Sequence, residues 1–360
     1  MPGTLMLVED VVELAAKLPA LREAGETALR TSARLEQEAF DLLKETSLWQ
    51  KAIDLGFRAA DNTEAELGIT PIGQYRGGMG RTFLLSRFIS VHGKTPENAI
   101  ESAAQNSRLV AFGEWHPFCL PRDQIDTQRP FGITVMKQLR ENGFTHLAVE
   151  QPVGLRASMD ALINDRPLGS PLNVNELVAK KNAVSETLNT SSLYDPRRES
   201  AGGELLGLLA LEHSARHSPN YVKLLLAGRD AGLKVVPIDH NRAFARIFDP
   251  LRDRTMAEES MTILNSDKNN KLVAWLGAYH ATRSENSYGQ IMARNFAARG
   301  LNEKATSFEF ANGLVPSSIK RPTIVPTLTG NKPNMLGRFF VKHNGYGEQD
   351  QLIVLPKVQR

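Results

Sequence analysis

Apolar residues recur at three- and four-residue intervals from residue 8 to residue 60, through VEDVVELAAKL, ALREAGETALRTSARLEQEAFDLLKE and WQKAIDLGFRAA. That spacing belongs to helices with one apolar face. Ala, Leu, Glu, Lys and Arg, all good helix formers, dominate the stretch, and Pro19 separates its first segment from its second. A Gly-rich connection, GITPIGQYRGGMGR, leads to TPENAIESAAQNS, a short helix opened by Thr95 or Asn98. After Ser107 the pattern changes. Short β-rich runs, RLVAFGE, HLAVEQ, KVVPID, KLVAWLGA and ATSFEF, alternate with the helical stretches FGITVMKQLRENG, YVKLLLAGRDAG, DPLRDRTMAEESMTIL and SYGQIMARNFAARG. This alternation predicts an α/β domain over 106–360, a mostly parallel sheet flanked by helices, preceded by an N-terminal helical region over 1–105. A polar insertion containing Pro and Ser covers roughly 164–203. Residues 311–335, with Pro316, Pro322, Pro326 and Pro333, read mainly as loop, and QLIVLP reads as a last strand.

Composition narrows the function classes. Of 360 residues, 41% are apolar and 23% charged, the balance of a soluble globular protein. No apolar run is long enough to span a bilayer, and the acidic residues inside the first apolar stretch, with no basic leader, argue against a secretory signal. A net charge of +3 and the lack of a basic run interleaved with aromatics give no case for a nucleic-acid partner. The single cysteine, Cys119, excludes an internal disulfide and a multi-Cys zinc site. The expected location is the cytoplasm or another reducing compartment, with delivery as a secreted effector left open.

Open parallel sheets bind ligands beyond the carboxyl ends of their strands, so the residues after each strand carry the chemistry. LVAF is followed by Gly113, Glu114 and His116, HLAV by Glu150 and Gln151, KVVPI by Asp239, His240, Asn241 and Arg242, and LVAWLGAY by His280. Each alone has an ordinary explanation. A single His after a strand is more often a satisfied or surface residue, and Asp239 reads as a helix N-cap before HNRAFARIF. Four strands ending in ionisable groups make one shared cleft the better expectation. His146 precedes its strand and falls at the wrong end. His213 and His217 share a helical face without the His-Glu-x-x-His pattern and read as surface. His92 and His343 have no evident partners, and GGMGR lacks the Lys-Ser/Thr of a phosphate loop.

A neutral His near its ordinary pKa of about 6.5 can take a proton from water, a carboxylate can orient it, and a second His or an Arg can steady an oxyanion. The set His116, Glu114, Glu150, Asp239 and His280 could instead hold a divalent metal, which would acidify a bound water. The residues leave these two open: no cofactor, or a divalent ion.

The same motifs resemble the erythromycin-esterase/ChaN/Tiki superfamily over roughly 108–356. The resemblance rests on Gly113-Glu114-Trp115-His116 after the first strand, Glu150 in LAVEQP, RDRTMA at 252–257, GAYH at 277–280 and, less specifically, YGEQDQLIVLP. It implies an α/β fold with its site at the strand ends and points to His116, Glu114, Glu150, Arg252 and His280. The superfamily includes macrolide esterases that use a His-activated water, Tiki-type metal-dependent proteases, haem-binding uptake proteins and domains of bacterial toxins, some preceded by a membrane-docking helical bundle.

The leading expectation is therefore a hydrolase of an ester or amide bond acting on a small molecule or peptide. His116 is the general base, Glu114 or Glu150 its orienting or metal-binding partner, and His280 with Arg252 stabilises the transition state. A Cys-dependent hydrolase using Cys119, three residues after His116, is a second reading. The third is a toxin or effector segment with a partner-binding α/β domain and peripheral membrane contact by the N-terminal helices; this needs Lys17, Arg22, Arg30 and Arg34 to cluster at one bundle end, and an ordinary solvated face is the preferred reading of those four. The cysteine and histidine readings separate on two substitutions. His116→Ala is expected to abolish hydrolysis of generic esters and amides in a folded protein, and Cys119→Ala to leave it unchanged.

Overall fold

The computed structural model describes residues 89, 92–114, 122–190, 197–241, 250–282, 284–299, 304–310, 321–326, 328–329, 332–333 and 350–355. All belong to Leu85–Arg360, the second of the two units into which the chain divides. The segments read as helices over 8–60, the GGMGR turn, His116, Cys119, Arg242 and His343 lie outside the described residues.

The architecture is α/β. Nine strands form, in order, β1 (Ser107–Glu114), β2 (His146–Pro152), β3 (Lys234–Asp239), β4 (Leu272–Gly277), β5 (Lys304–Phe310), β6 (Thr323–Pro326), β7 (Leu328–Thr329), β8 (Lys332–Pro333) and β9 (Gln351–Val354). The main sheet runs β3-β2-β4-β1-β5-β9-β6. Every pair in it is parallel except β6 with β9, and β7 and β8 make a separate antiparallel pair. The helices are α1 (Pro96–Asn106), α2 (Arg122–Glu141), α3 (Arg156–Met159), α4 (Val174–Thr190), α5 (Arg197–His217), α6 (Pro219–Asp230), α7 (Pro250–Ser266), α8 (Ala278–Ala281) and α9 (Tyr288–Ala298). Among the described residues no helix is long and apolar enough to cross a membrane.

The expected strands from RLVAFGE to ATSFEF all form, and their near-continuous burial is that of parallel strands covered on both faces. Thr95 settles the start of α1: its Oγ1 accepts from Asn98 N–H at 3.4 Å, and Pro96 occupies the first helical turn. Ala99, Ile100, Ala103 and Ala104 of α1 then join the sheet's core. The polar stretch over 164–203 holds α4 and the first turns of α5. Its sparse apolar residues hid this, yet Leu177 is fully buried in the same core as Leu208 and Leu211 of α5. Residues read as loop around 323–326 instead form β6. The β-branched Thr323, Ile324 and Val325 pair with β9, and Pro326 is tolerated because β6 is an edge strand.

Two cores cover the two faces. On the first, Val110, Phe112, Leu147, Val149 and Trp275 meet residues of α1, α2, α5 and α6. On the second, Leu109, Ala111, Ala148, Val236, Ala274 and Leu276 meet Met256, Ala257 and Met261 of α7 and Tyr288, Met292 and Phe296 of α9. The chain leaving β1 or β2 thus enters helices on the first face, whereas the chain leaving β3 or β4 enters helices on the second. Where β4 lies between β1 and β2, departures in opposite directions open a crevice at the carboxyl ends.

Gly113 sets how closely α8 sits over this crevice. A Cβ there would lie 2.9 Å from Ala278 Cα and 3.0 Å from Ala281 Cβ, against backbone that cannot turn aside. Gly113→Ala is expected to lower unfolding free energy by about 1–3 kcal/mol, read as a lower urea midpoint; an unchanged midpoint would show that α8 moves away at no cost.

Candidate functional site

The strand ends carry two polar clusters, one on each side of the sheet. Side chains alternate along a strand. On β1, Val110 and Phe112 face the first core, so Glu114 follows them there; on β2, Ala148 faces the second core, and so does Glu150. The two carboxylates are gripped by different guanidinium groups, Glu114 by Arg129 and Glu150 by Arg252.

On the first face Glu114 is 5% exposed and fully engaged. Arg129 donates to it twice, Nε to Oε2 at 3.0 Å and Nη2 to Oε1 at 2.7 Å. The Trp275 indole N–H donates to Oε2 at 2.7 Å. Arg129 also donates to Ser218 Oγ at 2.6 Å and lies over the Tyr221 ring, 4.9 Å from its centroid. A bidentate guanidinium–carboxylate pair of this kind is strong and directional. Glu114 is therefore an anchor, and it fixes the strand end two residues before His116.

On the second face the sheet brings together Glu150, Asp239, Arg252 and His280, four of the residues expected at the strand ends. Arg252, in the first turn of α7, donates through Nη2 to Glu150 Oε1 at 2.7 Å and grips Asp239 through Nε at 3.1 Å and through Nη2. Glu150 Oε2 accepts from the backbone N–H of Gly277 at 2.6 Å, which ties the end of β2 to the end of β4. Asp239, read from sequence as an N-cap, spends its carboxylate on Arg252 and on the His240 N–H at 2.7 Å. Asn241 instead receives the N–H of Gly154 at 2.7 Å.

His280 is 5% exposed on α8. Its Nδ1 pairs with Asp253 Oδ1 at 2.9 Å, and its Nε2 faces Glu150 Oε1 at 3.5 Å, beyond the usual hydrogen-bond length. Asp253 Oδ1 also accepts the Tyr288 N–H at 2.6 Å, at the start of α9. Asp253 was missed in the sequence. It is the neighbour of Arg252 in RDRTMA, and only the turn of α7 shows that both reach the strand ends. Arg129, Trp275, Tyr221 and Ser218 were missed too; none follows a strand, so the strand-end rule passed them over.

Burial and charge pull against each other here. For His280, burial disfavours the imidazolium, but Glu150 and Asp253 outweigh it and the pKa rises above 6.5. For Asp239, burial pushes the carboxyl upward and exceeds the opposing pull of Arg252. For Arg252, burial lowers the pKa, and Asp239 with Glu150 reverses this, so the guanidinium stays charged. At the opposite end of β2, His146 is lowered by burial and by Lys234, in keeping with its position away from the site. His213 and His217 are exposed on α5, as expected, with ring centroids 4.8 Å apart.

The divalent ion is expected from sequence on His116, Glu114, Glu150, Asp239 and His280; His116 lies outside the described residues, and the other four have the following partners. The charge between Glu150 and Asp239 is the Arg252 guanidinium, Glu114 is held by Arg129 on the other face, and His280 Nδ1 is taken by Asp253. Among the described residues no group of three or more His, Cys, Asp or Glu could hold a metal.

No family model matches the sequence, and no curated protein matches it. Similar solved structures are those of bacterial toxins and effectors. One is the type III effector HopBA1, at 16% identity, with 73% of this chain and 94% of that chain covered and a TM-score of 0.33. The C-terminal region of Pasteurella multocida toxin, described as having a thiol-protease-like catalytic triad, is 16% identical, with 54% and 22% covered and a TM-score of 0.29. A chain described as "Bacterial protein toxins" is 15% identical, with 65% and 40% covered and a TM-score of 0.34. Likeness this distant transfers neither family nor activity. The resemblance to the erythromycin-esterase/ChaN/Tiki superfamily therefore rests on its short motifs alone.

The His280 shift has a signed consequence for stability. A histidine whose folded pKa lies above its unfolded value of about 6.5 stabilises the fold fully below that value and loses the contribution as pH rises through the folded pKa. Denaturant unfolding of the wild type is expected to show stability falling with pH above 6.5, and His280→Gln to flatten that part of the profile. Parallel profiles would place the charge elsewhere.

Proposed function

We propose that the chain is a hydrolase acting at the carboxyl ends of β2, β4 and β1, with His280 as its proton donor. The supporting observation is a buried imidazole held at Nδ1 by Asp253, with Nε2 turned toward Glu150. Its raised pKa suits an acid. The upward shift favours the charged ring, which can give its Nε2 proton to a departing alkoxide or amine. Asp253 is the positioning residue, since its bond to Nδ1 fixes which nitrogen faces the substrate, and the Tyr288 N–H in turn fixes Asp253. Glu150 favours the imidazolium by charge. Arg252 is committed to Glu150 and Asp239, so in this reading it holds the frame and does not bind the oxyanion.

His116 completes the reaction as the base. It takes a proton from water as the water oxygen attacks the carbonyl carbon; the carbonyl π electrons move to oxygen and return as the bond to the leaving group breaks. The leaving group carries away the His280 proton, and transfer from protonated His116 through solvent resets the pair. Glu114, locked by Arg129 and Trp275, steadies the chain just before His116.

The test is hydrolysis of a panel of activated esters and anilides. His280→Gln is expected to lower kcat by about 10²–10⁴-fold, and Asp253→Asn to lower kcat and move the alkaline limb of the pH profile to lower pH, since the Asp253 carboxylate raises the pKa of the donor. Wild-type turnover in folded His280→Gln would overturn the assignment.

A further inference from the structure

Gln151, next after Glu150 on β2, points to the first face and is 9% exposed. Its Nε2 donates to the Tyr221 hydroxyl at 3.2 Å, but its Oε1 is buried and has no hydrogen-bond partner, the one such side-chain atom among the described residues. An unmet buried acceptor costs about 1–3 kcal/mol, and native structures rarely keep one without a use. Turning the amide over does not remove the vacancy. Tyr221 would then donate to Oε1, and the Nε2 hydrogens would have no acceptor.

Tyr221 is itself 7% exposed, and burial holds its phenol in the protonated form. With Gln151 Nε2 on its oxygen, the Tyr221 hydroxyl still has a proton to give. One unused acceptor and one unused donor thus stand side by side. They complement a ligand group that carries one of each. An amide with an N–H does so, whereas an ester offers acceptors only. The pair lies in the framework of the strand-end site: Tyr221 is under Arg129, which holds Glu114, and Gln151 adjoins Glu150.

We propose that Gln151 and Tyr221 form a recognition site for an amide group. Taken with the hydrolase reading, on which this step rests, the site selects peptide or carboxamide substrates over simple esters.

The experiment is ligand-detected NMR titration of the full chain with acetamide, with methyl acetate as a probe of similar size that lacks a donor. Saturable acetamide binding is expected, absent for methyl acetate and weakened at least about tenfold, equivalent to 1.4 kcal/mol, in Gln151→Met. Tyr221→Phe, which keeps the ring, is expected to show the same loss and serves if Gln151→Met fails to fold. No saturable acetamide binding, or equal binding in the variants, overturns the proposal and leaves Gln151 Oε1 to a buried water. The hydrolase reading is scored separately. Gln151-dependent acetamide binding in a wild type without turnover would sink that reading and leave the amide site standing, whereas His280→Gln is expected to lose turnover and keep acetamide.

Discussion

The strand ends depend on one guanidinium. Arg252 is 8% exposed and Asp239 1% exposed, so both charges, and that of Glu150 beside them, are withdrawn from water. Burying a charge is costly unless it is paired and hydrogen-bonded. Arg252 meets that requirement for two carboxylates from two strands at once, and in doing so ties α7 to the ends of β2 and β3. The next residue, Asp253, is then delivered to His280 and to the first N–H of α9. A single turn of helix therefore sets both the frame and the orientation of the imidazole. Two adjacent buried charges on one helix would be a liability if either lost its partners.

Much of the sheet was legible because parallel strands buried on both faces are written as short apolar, β-branched runs. The convergence of Glu150, Asp239 and His280 followed from asking what ends each run. The strand-end rule does not say which face a side chain takes. Counting from Phe112 to Glu114 and from Ala148 to Glu150 points the two carboxylates toward different helices, but only once the packing of Phe112 and Ala148 on different cores is known. Asp253 and Arg129 lie on helices, and no rule of composition distinguishes a helical Asp or Arg that reaches a site from one in solvent. Helix α4 escaped because its apolar positions are too scattered to show a period, and β6 because four prolines nearby outweighed three β-branched residues.

Two departures from local helix rules serve the same carboxylate. Arg129 precedes Pro130 inside α2, although a residue before proline is biased away from helix and an interior proline costs about 3 kcal/mol. Ser218 occupies the N-cap of α6, yet its side chain makes no capping bond; it accepts from Arg129 instead. Local preference yields where a tertiary contact is worth more, and such places tend to be functional. Here both exceptions converge on Glu114.

The strand order also constrains how the chain comes together. β1 is made first among the sheet's strands and stands at its centre, but its two neighbours begin only at Leu272 and Lys304. Until β4 inserts, β1 and β2 have no hydrogen-bonded contact with each other, and each presents open backbone edges. Closing loops of that length before any pairing rewards them slows folding, and half-made parallel sheets are prone to associate. During synthesis this central strand therefore waits for more than 150 residues, and the same late arrival of β4 that seals it also carries His280 into place.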